Sequence, residues 1–69
     1  MKYGQKMTLA MLRKIAGYTQ ETFAEALDVD RSTVAFWETG RTHPSGKNVA
    51  KIEKVLNIKW SEDVLMPTE

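Results

Sequence analysis

Cysteine is absent from the chain, so neither a disulfide framework nor a thiolate metal site supports the fold, and packing must supply the stability. That absence fits a cytosolic protein without demanding one. Long apolar runs are missing as well: no stretch approaches the roughly 20 residues of a membrane span. Basic residues occur in residues 1–6, but no continuous apolar stretch follows, and no secretory leader is expected. A strong charge of either sign is also lacking. Ten Lys and Arg stand against nine Asp and Glu, a net charge of +1. Such a balance does not by itself point to nucleic acid, although it permits a binder whose cations lie on one face. There is one histidine, His43, next to Pro44. No Ser/His/Asp set, glycine-rich phosphate loop or metal-ligand cluster accompanies it, so neither an enzyme, a cofactor nor a metal is expected. His43 reads first as a solvated loop residue and only second as a titrating switch.

What is present is an ordinary globular composition, 42% hydrophobic and 28% charged over 69 residues. A chain of that size forms one domain, burying only about 60% of the surface its unfolded form exposes. The expected organisation is one domain over residues 1–69, with 1–6 as an N-terminal arm and 67–69 as a frayed tail. Helical periodicity runs nearly throughout. Met7, Met11 and Ile15, with Leu9, Leu12 and Ala16, make one apolar stripe that Gly17 ends. Thr19 caps a second helix with Phe23, Ala24 and Leu27 inward. After Asp28-Val29-Asp30, with Asp30 as cap, a third helix turns Val34 and Trp37 inward and stops at Gly40.

Residues 41–46 read as a loop. A fourth helix carries Val49, Ile52, Val55 and Leu56 inward and ends near Asn57 in the left-handed conformation. Trp60 and Val64 define a short fifth helix. No strand alternation is visible. The expected fold is all-α, a compact bundle of about five short helices.

Residues 20–38 hold the informative pattern: two helices of about eight residues joined by a three-residue break. Ala24 is small enough for two helix axes to approach closely. Leu27 and Val29 plug the corner, and Val34 and Trp37 anchor the second helix while leaving its other side free. The run "TQETFAEALDVDRSTVAFWETGRTHP", followed by "VAKIEKVLNI", resembles the Cro/C1-type helix-turn-helix domain of phage repressors and Cro proteins. The likeness covers about two thirds of the chain. It rests on Gln20 opening the first helix, Trp37-Glu38 ending the second, and Gly40-Arg41 following. Where that family has glycine at the turn, this chain has Asp28, which tolerates left-handed backbone at a cost of about 1 kcal/mol.

With Val34 inward and 100° per residue, Ser32, Phe36 and Thr39 point outward, flanked by Arg31, Thr33 and Ala35. Arg31, Ser32, Thr33 and Phe36 are the candidates for base readout: Arg can donate twice to guanine, hydroxyls reach base edges, and Phe36 can touch thymine methyls. Each also has a plainer reading, as a solvated cation, as polar filler, or, for Phe36, as a protein contact. Gln20, by resemblance, contacts a phosphate from the helix start. Thr39 and Arg41 resemble the family's second clamp, and Lys47 with Asn48 extends it. Glu38 reads as an internal ion-pair partner, with Arg13 as its candidate mate. Glu53, Glu62, Asp63 and Glu69 are expected away from the groove face.

The resemblance implies a sequence-specific regulator of transcription, phage repressor or Cro-like, cytoplasmic in a bacterial or phage-infected host. Helix 31–38 would enter the major groove of double-stranded operator DNA, with a second copy of the chain as dimer partner. The alternative is a protein-binding helix-turn-helix of antirepressor or antitoxin type, its partner another protein such as a cognate repressor. The segment Ile58, Trp60, Val64, Leu65 and Met66 is apolar enough to cover the core and offer a small interface. A chain this short also fits the DNA-binding part of a longer repressor.

Overall fold

A computed structural model describes residues 5–66. The elements are β1 (Met7–Thr8), α1 (Leu9–Ile15), α2 (Gln20–Leu27), α3 (Arg31–Glu38), α4 (Gly46–Leu56), α5 (Trp60–Asp63) and β2 (Val64–Leu65). Helices this short are marginal alone in water, so their ends and their packing decide the fold. Three starts are closed by side chains. Thr8 Oγ1 accepts from Met11 N at 3.2 Å, Thr19 and Thr22 cap α2 reciprocally, and Ser45 Oγ accepts from Asn48 N at 3.3 Å. Asp30 stands at the cap position of α3 but makes no side-chain cap bond.

Four helices end the same way. Gly17, Asp28, Gly40 and Asn57 all adopt positive φ, between 55° and 89°. The following residue then donates back to a carbonyl five positions earlier: Tyr18 to Arg13, Val29 to Ala24, Arg41 to Phe36, Ile58 to Glu53. This double closure satisfies carbonyls that a helix end leaves open. Asp28, at φ 58° and ψ 48°, occupies the left-handed region expected of it.

One core joins the helices. Leu9, Leu12, Phe23, Ala24, Leu27, Val34, Trp37, Ile52, Ile58 and Val64 are buried, with Met7, Tyr18, Val29, Val55, Leu56, Trp60 and Met66 packed against them. Tyr18 and Phe23 meet with tilted rings, centroids 5.6 Å apart. Among the described residues every buried side-chain nitrogen and oxygen has a hydrogen-bond partner.

The structure departs from the sequence-based expectation in three places. Met7 and Thr8 are not helical; they pair in parallel with Val64 and Leu65 as a two-stranded ladder, and α5 therefore stops at Asp63. Met11 and Ile15 stay exposed at 49% and 54%, because only the Leu9–Leu12–Arg13 face of α1 meets the core. The fourth helix begins at Gly46, inside the segment expected to be loop. The expected arm and tail lie largely outside the described residues; Gln5 and Lys6 are exposed.

Asp28 gives a direct check on the turn. Its αL backbone costs an L-residue about 1 kcal/mol, relieved by glycine and worsened by alanine, which lacks the short polar side chain that eases this region. Asp28→Gly is expected to raise the melting temperature by a few degrees and Asp28→Ala to lower it, at about 4–8 °C per kcal/mol for a domain of this size. Thermal melts followed by circular dichroism decide the sign of each.

Candidate nucleic-acid interface

The two central helices are held as a unit from both ends. In α2, Ala24 at 2% exposure and Leu27 at 1% leave the neighbouring helix room to approach. The last carbonyl of α2, at Leu27, accepts from Lys51 Nζ of α4 at 3.0 Å, a cation placed at a helix C-terminus where the macrodipole favours it. After Asp28-Val29-Asp30, α3 is pinned by Val34 and Trp37, exposed 0% and 2%. Burying those two positions three apart turns the opposite side of α3 to solvent.

The far end of α3 is tied by Glu38. Arg13 Nε donates to Glu38 Oε2 at 2.6 Å and Nη2 to Oε1 at 3.2 Å, a bidentate pair between side chains each only 7% exposed. Gln20 Nε2 donates to the same Oε1 at 3.0 Å, and Arg13 Nη1 donates to the Tyr18 carbonyl at 2.9 Å. The Arg13–Glu38 pairing expected from the sequence is therefore present. The link to Gln20 was not anticipated. It leaves one amide N–H and the amide oxygen of Gln20 for other partners.

On the outer side, Arg31, Ser32 and Thr39 are exposed, Phe36 is exposed at 38%, and Thr33 and Ala35 are half-buried. These share the face predicted from the position of Val34. Arg41 follows directly, its guanidinium carbon 5.1 Å from the Phe36 ring centroid. Thr39 Oγ1 donates to the Phe36 carbonyl at 3.2 Å. Lys47 lies exposed in the first turn of α4 and Gln20 half-buried at the start of α2. Two of the acids expected elsewhere are engaged at α5: Glu53 Oε2 accepts from Trp60 N and Asp63 Oδ2 from Lys59 N, both at 2.8 Å. Glu69 lies outside the described residues. Among the described residues no group of three or more His, Cys, Asp or Glu could hold a metal ion, and no helix is long and apolar enough to cross a membrane.

The helix-turn-helix family model matches residues 9–62, from the start of α1 into α5. The chain belongs to the Cro/C1-type helix-turn-helix family. This is a family of DNA-binding transcriptional regulators and not of enzymes. Among its relatives, the uncharacterized HTH-type transcriptional regulator YazB of Bacillus subtilis (strain 168) is 44% identical over 57 residues, 83% of this chain and 80% of that protein. The HTH-type transcriptional regulator DicA of Escherichia coli (strain K12) is 41% identical over 44 residues, 64% of this chain and 33% of DicA. The chain thus matches only a third of that regulator's length. No solved structure matches significantly.

Removing one partner of a buried pair strands the other charge, at about 3–5 kcal/mol. That is comparable to the whole stability a core this small supplies. Glu38→Leu is therefore expected to leave the chain largely unfolded in mild urea, while the double variant Arg13→Met/Glu38→Leu costs less than Arg13→Met and Glu38→Leu added together. Urea titrations of the four proteins measure the coupling, and a simply additive double variant would refute it.

Proposed function

We propose that this chain is a sequence-specific double-stranded DNA-binding regulator of transcription, repressor or Cro-like, that inserts α3 into the major groove. One observation carries the reading: α3 is buried along Val34 and Trp37 and exposes Arg31, Ser32, Phe36 and Thr39 on the other side. A surface helix built only for water has no use for that mixture, whereas base edges offer guanine acceptors to Arg31 and polar atoms to Ser32 and Thr33. Gln20, Thr39, Arg41 and Lys47 are assigned to the phosphates that set register. The names of the relatives DicA and YazB, both HTH-type transcriptional regulators, favour the same role. A dimer on two half-sites one helical turn apart is the expected assembly, acting in the cytoplasm of a bacterial or phage-infected host.

The second reading, a protein-docking helix-turn-helix, is favoured by the exposed ring of Phe36. Salt separates the two. On random-sequence duplex, where the reader Arg31 has no fixed guanine and joins Arg41 and Lys47 against phosphates, the log–log slope is about −2.7, so affinity falls about 40-fold from 50 to 200 mM salt. Fluorescence anisotropy with wild type and Arg31→Ala measures it. Steep salt dependence with weaker binding by Arg31→Ala supports groove insertion; no binding by wild type at 50 mM salt sinks it and turns the search to a protein partner.

A further inference from the structure

We propose that Phe36 is a positioning residue for Arg41: the ring holds the guanidinium at the end of the recognition helix for a phosphate flanking the groove. Its weight in DNA binding is then carried by that cation and not by a thymine methyl. The proposal rests on the DNA-binding reading above.

Arg41 is attached to Phe36 twice. Through the backbone, Gly40 at φ 79° turns the chain back on α3. The Phe36 carbonyl then accepts from Arg41 N at 2.9 Å and Thr42 N at 3.3 Å, and from the Thr39 hydroxyl at 3.2 Å. Through the side chain, the guanidinium carbon lies over the same residue's ring, 5.1 Å from its centroid. A cation is attracted to an aromatic face by the ring quadrupole. That attraction leaves the guanidinium's donors unused, because its five N–H groups radiate in its own plane. Among the described residues the Arg41 guanidinium has no hydrogen bond or ion pair, so those donors remain for an outside acceptor.

The chemistry that matches a planar fork of donors is a phosphate, which Arg engages bidentately. An exposed arginine with no support loses rotamer freedom when it binds, and holding it beforehand lowers that loss. The ring face that Arg41 covers is at the same time closed to a base. Position 36 therefore contributes independently of sequence, while Arg31 and Ser32 are left as the readers.

The test is a double-mutant cycle measured by anisotropy at 50 mM salt on two duplexes of equal length, one of mixed sequence and one of G and C alone. The second offers no thymine methyl. Wild type, Phe36→Leu, Phe36→Trp, Arg41→Ala and Phe36→Leu/Arg41→Ala are compared, with circular dichroism confirming equal helicity. Phe36→Leu keeps apolar bulk and removes the quadrupole, so it is expected to weaken both duplexes by about two- to fivefold, the range of an exposed cation–ring contact. It should cost nothing further in the Arg41→Ala background, and Phe36→Trp should retain wild-type affinity. The salt slope of Arg41→Ala should become shallower by about 0.9, one phosphate's share. An equal loss from Phe36→Leu in both backgrounds, or a loss confined to the thymine-containing duplex, overturns the positioning role alone. Wild type that binds neither duplex overturns the DNA-binding reading and this proposal with it.

Discussion

The carboxylate of Glu38 sits where three helices have to meet, and the placement of the exposed face of α3 depends on it. Glu38 is the last residue of its helix, a position where the macrodipole disfavours an anion. Arg13 reverses that penalty. It lies in the last turn of α1, where a cation is favoured, and its guanidinium reaches both Glu38 oxygens and the Tyr18 carbonyl just beyond α1. One buried cation thereby serves the negative ends of two helices. Gln20 then ties the start of α2 to the same carboxylate. A hydrophobic trio could fill the same volume with equal or greater stability, but it would not dictate which end of α3 abuts which end of α2.

Short helices make their terminations more consequential than in larger proteins. Each of α1 to α4 closes through a left-handed residue and a backward hydrogen bond, so the chain reverses without long loops and the next element begins already in contact. The reversal after α2 sets the helix-turn-helix. The reversal at Gly40 returns Arg41 to the Phe36 ring. The one after α4 brings Ile58 into the core, from which α5 and β2 lead back to β1. Backbone geometry at four positions thus governs both the fold and the arrangement of the exposed cations.

Much of this was legible in the residues because the signals were local. The spacing of Val34 and Trp37 gives the inner side of α3, Thr19 marks the start of α2, and Gly17, Asp28, Gly40 and Asn57 mark the ends. What escaped is non-local or ambiguous. A ladder of two residues per strand, joining Met7 to Val64, is too short to show alternation and spans nearly the whole chain. On α1 the residues read as one apolar stripe divide over two faces, one through Leu9 and Leu12 and one through Met11 and Ile15. Only contact with the rest of the core selects the first. Of the candidate site, the outward face could be read from 100° per residue, whereas the Phe36–Arg41 contact and the Gln20–Glu38 bond could not. Both cross a helix boundary and depend on where the chain turns.

Electrostatics then bear on how α3 meets DNA in the proposed complex. A net charge of +1 does not describe the field on the outer face: Glu38 is neutralised by Arg13, and the carboxylates of Glu53 and Asp63 are held at the start of α5 and not on α3. The exposed charges flanking α3 are nevertheless uneven. Asp28 and Asp30 precede it, whereas Arg41 follows it and Lys47 lies on the next helix. Phosphates lie outside the base edges, within a Debye length of about 8–10 Å from whichever charge flanks the groove. The acidic entry repels them and partly offsets Arg31, so the basic exit has to supply the stronger hold. A cation there is worth more if it is already in position, and in this chain Arg41 is the exposed cation near α3 that both backbone and ring keep in place.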